Sequence, residues 1–203
     1  MNENITDIAA KDVIVQASLS AIPFVGNSLS TAYFSTKQER RFRRIETFYC
    51  DLSERLSTME DGILPFHSHD EESLVTLIER LNEEIEIESS GKKRDYFKNY
   101  FINLLQSPTI ERNYDERQML LDCLASITVL EFEVLLSYSE LHKHIVSTQE
   151  VEEGLRDGAI SRLENLGLLR ANYVTETFLG QSPTIKIVSL SKFGEKFIEF
   201  CIV

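Results

Sequence analysis

Few residues in this chain have types that do chemistry, and their spacing does not suit it. Four histidines form two H-x-H pairs, His67 with His69 beside Asp70, and His142 with His144. Zinc accepts imidazole, but alternate residues on a helix point to different sides, so the spacing favours surface or capping roles. Cys50, Cys123 and Cys201 are odd in number and far apart, with no C-x-x-C pair, which gives neither a disulfide framework nor a zinc pattern. Cys50 and Cys123 fall on apolar helix faces and read as core residues. The sequence contains no Walker loop, G-x-S-x-G, HExxH or dinucleotide glycine fingerprint. No catalytic residue, cofactor site or metal site is therefore expected, and enzymatic activity has no positive support.

The stronger signal is physical. From Val13 to Thr36 the chain carries no charged side chain, and Lys37, Arg40, Arg41, Arg43 and Arg44 follow at once. An uncharged run of membrane-relevant length thus abuts a positive collar. Two readings of it stay open. In one, Ile22, Pro23, Phe24, Val25 and Gly26 form the tip of a helical hairpin that buries its apolar faces, since Pro23 removes a backbone donor and Gly26 permits a left-handed turn. In the other, the segment enters a bilayer interface on demand and the arginines hold it to anionic head groups. Gln16, Ser18, Ser20, Asn27, Ser28, Ser30 and Thr31, with Pro23 and Gly26 near the middle, argue against a resident transmembrane helix.

The elements that must position these residues are mostly helices. Ile5 to Ala21 reads as a first helix, and about Ser28 to Met59 as a long second one, with Leu29, Tyr33, Phe34, Phe42, Ile45, Phe48, Tyr49, Leu52 and Leu56 at helical spacing and the arginines on its solvated side. Asp70 or Ser73 starts a helix carrying Leu74, Leu77, Ile78, Leu81 and Ile85. Glu83, Glu84, Glu86 and Glu88 then read as a solvated acidic face. Ser89-Ser90-Gly91 marks a boundary, Lys92-Lys93-Arg94 opens a helix from about Asp95 to Gln106, and further helices are expected from Asn113 to Ile127 and from Val129 to Ile145. Past that point the pattern changes. Thr148 caps a short helix, Asp157 to Asn165 forms another that stops at Gly167, Leu168 to Val174 and Ile185 to Leu190 alternate as strands, and Ser191 opens a closing helix.

That order is the order of a winged helix-turn-helix. The expected fold is mainly α: an N-terminal helical hairpin and helical bundle, followed by a winged helix-turn-helix-like α+β domain. The expected division is 1–60, 61–136 and 137–203.

Charge narrows the partners. Net charge is -12, and residues 61–95 alone carry ten acids against four bases, so most of the molecule repels phosphate backbones. The expected recognition helix offers only Arg162 as a base, and the region from Ser137 onward has seven bases against nine acids. Arg162 is the candidate contact of the winged helix, and nucleic acid is disfavoured. The opening MNENITDIAAKD places acids where a secretion signal needs bases. A reducing cytosol is expected, with peripheral contact at the inner face of the membrane on the second reading of the collar.

The run KKRDYFKNYFINLLQSPTIERNYDERQMLLDCLASITVLEFEVL, then ISRLENLGLLR, then LSKFGEKFIEFC, resembles the abortive-infection alpha family of bacterial proteins over residues 70 to 203. The family's N-L-L pattern corresponds to Asn103, Leu104 and Leu105. Its closing motif corresponds to Leu190, Ser191, Gly194, Phe197 and Cys201, with Ser in place of Thr. The resemblance implies non-enzymatic antiphage defence, in which infected cells stop growing before progeny are released. It carries over no catalytic residue. With the collar it implies a protein partner or phage-derived trigger, and leaves open a homo-oligomer and an anionic membrane surface. The rival expectation is a soluble adaptor or oligomeric regulator that uses the winged helix.

Overall fold

The computed structural model describes residues 36–58, 63–139, 152–175 and 184–202. It is mainly helical, with one two-stranded antiparallel sheet near the C-terminus. The chain divides into two compact units, Met1–Ala125 and Ser126–Val203.

The described part of the first unit holds α1 (Thr36–Thr58), a short 3-10 helix (Phe66–Ser68), α2 (Glu71–Ile87), α3 (Gly91–Gln106) and α4 (Glu111–Ser126), the last ending at the boundary. In α1, Ile45, Phe48, Tyr49, Leu52 and Leu56 recur at helical spacing and all are buried. They pack toward α2 and α3, and burying side chains of this size contributes about 1.5–3 kcal/mol each. The facing stripe on α2 is Leu74, Leu77, Ile78, Leu81 and Ile85. Asp70 starts α2 by accepting from the Ser73 amide at 2.9 Å, and Ser90 starts α3 by accepting from Lys93 N at 3.3 Å. Such caps stabilise a helix by about 1 kcal/mol. Tyr49 meets Phe48 and Phe101 edge-on, with ring centroids 5.4 and 6.1 Å apart. Its hydroxyl donates to Asn82 Oδ1 at 2.7 Å. Burial raises the Tyr49 pKa, so that hydroxyl stays a donor.

The second unit holds α5 (Val129–Ser137), α6 (Glu153–Asn165), β1 (Leu169–Thr175), β2 (Thr184–Leu190) and α7 (Lys192–Cys201). Thr128 and Glu131 close a reciprocal capping box on α5. Gly167, at φ 74°, ends α6. Leu168 N donates to Leu163 O and Gly167 N to Glu164 O, both at 2.9 Å, the double bond of a Schellman stop. The strands pair from Leu169 with Leu190 to Thr175 with Thr184.

The closing motif has a packing explanation. Ser191 Oγ accepts from Gly194 N at 2.8 Å and donates to Gly167 O at 2.5 Å, fixing α7 to the end of α6. A Cβ on Gly194 would collide with the Leu168 carbonyl, so glycine is required there by close approach. Phe197 and Cys201 lie one and two turns on, fully buried.

Several expectations are corrected. The helix expected to run from Val129 to Ile145 stops at Ser137, where Tyr138 and Ser139 bond back three residues and tighten the turn. Helix α3 begins at Gly91 rather than Asp95 because Ser90 provides the cap. Helix α6 begins at Glu153 rather than Asp157 and runs through Gly154 and Gly158. Cys50 is exposed, whereas Cys123 is buried as expected. His69 is buried and caps the short 3-10 helix rather than lying on the surface. The helix expected over Ile5 to Ala21, the Ile22–Gly26 tip, the stretch up to Ser35 and the Thr148 cap lie outside the described residues.

Candidate functional site

The basic collar is the candidate site, and the first turns of α1 separate its arginines. Lys37 lies in the first turn. Residues three apart on a helix share a face, so Arg40 pairs with Arg43 and Arg41 with Arg44. Arg40 and Arg43 are exposed, whereas Arg41 and Arg44 are half-buried.

The half-buried pair points to the end of α2. Arg44 Nη1 donates to the Glu86 backbone carbonyl at 2.8 Å, and Arg41 Nη1 lies 3.9 Å from Glu86 Oε2. The last carbonyls of a helix have no partner within it and form the negative end of its dipole, so a guanidinium there satisfies an orphan acceptor and a partial charge together. The Arg41 ion pair is a weaker contact, since both side chains are about two-fifths exposed and such pairs contribute about 0–1 kcal/mol.

The turn after α2 is a meeting point for cations from the other side as well. Lys93 Nζ lies 3.1 Å from Glu88 Oε2 and donates to Ala125 O at 2.6 Å, and Arg94 Nη1 donates to Glu88 O at 3.0 Å. The acidic run is therefore divided. Glu83 is exposed, while Glu86 and Glu88 hold cations from α1 and α3.

A second cationic centre was not legible in the sequence. Arg117 on α4 is buried and donates to Ser107 Oγ at 2.7 Å, to Ser107 O at 3.2 Å and, in a short contact, to Thr109 Oγ1. Tyr100 OH donates to the Arg117 carbonyl at 3.0 Å. Thr109 N in turn donates to His69 Nδ1 at 3.1 Å, and Asp70 N to Thr109 O at 2.6 Å. Because Nδ1 accepts, the neutral ring carries its proton on Nε2. Burial first, and then the Arg117 charge, hold His69 below the ordinary histidine pKa. This centre fastens the loop between α3 and α4 to the start of α2.

In the second unit Arg162 Nε lies 3.1 Å from Glu131 Oε1, and Nη2 donates to Ser126 O at 3.2 Å. Glu131 is only 3% exposed and uses its other oxygen on Thr128. The Thr128-x-x-Glu131 capping pattern was the available signal for this acid. The structure thus binds the sequence-predicted contact residue within its own unit. The hairpin leaves Tyr173 66% and Ile187 48% exposed.

Among the described residues no group of three or more His, Cys, Asp or Glu could hold a metal ion, and no helix is long and apolar enough to cross a membrane. Burial, with a smaller push from Asp122, raises the Cys123 thiol to about 11, far from a nucleophile's range. No protein-family model matches this chain, and no characterised protein or solved structure does either.

Proposed function

We propose that this chain is a non-enzymatic antiphage defence protein that docks on an anionic membrane surface through the start of α1, with residues 13–36 supplying the apolar segment that enters the bilayer. The observation that carries the reading is the outward placement of Arg40 and Arg43 beside Arg41 and Arg44. Several cations on one stretch of helix, next to an uncharged run, suit a lipid surface at about 1 kcal/mol for each base near it. The defence role rests on the resemblance of residues 70 to 203 to the abortive-infection alpha family.

The test pairs two assays on one variant, Arg40→Glu with Arg43→Glu. Full-length protein is expected to sediment with vesicles containing phosphatidylglycerol and to leave pure phosphatidylcholine in solution, and the variant is expected to lose the first behaviour. Cells expressing the intact chain are expected to survive phage at low multiplicity and to collapse at high multiplicity, with both effects lost in the variant. Protection that persists in a variant unable to bind vesicles overturns the membrane step.

A second reading is favoured by the hairpin. The order α5, α6, β1, β2, α7 supports a winged-helix arrangement, and the exposed Tyr173 and Ile187 suit a protein partner better than DNA. The Arg162 guanidinium is already engaged by Glu131. On this reading Tyr173→Ser abolishes protection while vesicle binding is unchanged.

A further inference from the structure

The end of α2 presents to α1 anionic and dipolar oxygens of the kind a guanidinium also meets at an anionic lipid head group: the Glu86 carboxylate and the Glu86 backbone carbonyl. We infer that Glu86 is an internal competitor for the basic collar, holding Arg41 in the resting protein and releasing it when a membrane supplies phosphate. The inference rests on the docking reading above and specifies its regulation.

Three observations carry it. The two inward arginines both end on one residue, Arg44 on the Glu86 carbonyl at 2.8 Å and Arg41 near its carboxylate at 3.9 Å. The two contacts differ in kind. The carbonyl bond persists for as long as α1 packs on α2, whereas the carboxylate contact is long, exposed and exchangeable. Finally, Arg40 and Arg43 are exposed on the same two turns, so a surface can be captured by them first and then compete for Arg41. A phosphate in a lipid plane competes well because neighbouring head groups keep the local anion concentration high.

The test uses the full chain and vesicles of phosphatidylcholine and phosphatidylglycerol in equal parts. Glu86→Gln removes the competing charge and leaves the backbone carbonyl for Arg44. It is expected to tighten vesicle binding by about two- to fivefold, the size of a surface ion pair. Glu83→Gln, an equal charge change at an exposed position of the same helix, is the control and is expected to leave binding near the wild-type value. Adding Arg41→Gln to Glu86→Gln is expected to remove the gain. Equal tightening by both glutamine variants overturns the competitor, because general charge then explains it. Wild-type binding with no response to Glu86→Gln also overturns it and leaves the docking reading standing. If neither protein binds, the docking reading fails and the competitor fails with it.

Discussion

In the first unit the ends of helices are joined by long polar side chains that reach distant carbonyls: Arg44 to Glu86, Lys93 to Ala125, Arg117 to Ser107. In the second, Arg162 makes one such reach, to Ser126 O, while Thr128, Gly167 and Ser191 close helix ends locally and Phe132 stacks on Phe197 at 5.9 Å. The contrast teaches how to count charge here. Arg44, Lys93, Arg94 and Arg117 of the first unit are structural, because helix ends and turns leave carbonyls that something must satisfy. The number of bases in the sequence therefore overstates the positive charge offered to a partner. Of the collar arginines Arg40 and Arg43 are exposed, while Arg41 and Arg44 also meet Glu86.

The comparison can be broken by removing one member of each kind. The largest loss is expected from Phe197→Ala, which empties a fully buried ring site and should cost about 3–5 kcal/mol in urea unfolding. Arg117→Met keeps the stem's bulk but strands the carbonyl and hydroxyl groups it serves, and should cost about 2–3 kcal/mol by the same measurement. A near-neutral Arg117→Met would show that the first unit is held by apolar packing alone, and the contrast between the units would fall.

The smallest effect expected is a dependence on pH that arises in the first unit. His69 titrates below the ordinary 6.5 in the folded chain, so between that lower value and about 6.5 the unfolded chain binds the extra proton. Stability is accordingly full above about pH 6.5 and declines as pH falls through it. Geometry supplies the reason: a proton on Nδ1 would face the Thr109 N–H, donor against donor, beside the Arg117 charge. His69→Asn keeps an acceptor for that amide and does not titrate. Urea midpoints at pH 7.5 and 5.5 are expected to diverge less in His69→Asn than in the wild type, and an equal divergence would remove His69 as the source.

Much of the fold was legible because its signals are local. The Leu74, Leu77, Ile78, Leu81, Ile85 stripe, the stop at Gly167, the two alternating strands and the Ser191 start each depend on residues within a few positions of one another. Helix periodicity, a positive φ and a cap are decided at that range. Helix starts are less legible, because several neighbouring polar residues could cap: α3 starts from Ser90, one turn before Asp95.

The candidate site was legible only as a cluster. The sequence placed Arg40, Arg41, Arg43 and Arg44 on one helix and Glu86 on another, but their division into an outward and an inward pair depends on a contact 42 residues apart. The same holds for His69, whose amide donor is 40 residues away. Cys50, one position past the buried Tyr49, shows the underlying reason. Spacing along a helix fixes directions about its own axis, whereas which of those directions is covered is set by where neighbouring helices lie. The sequence by itself determined the existence of the described helices, of the β1–β2 hairpin and of a basic collar. Tertiary packing decided which of its charges are already satisfied, because the competing acceptors come from distant segments brought together only on folding.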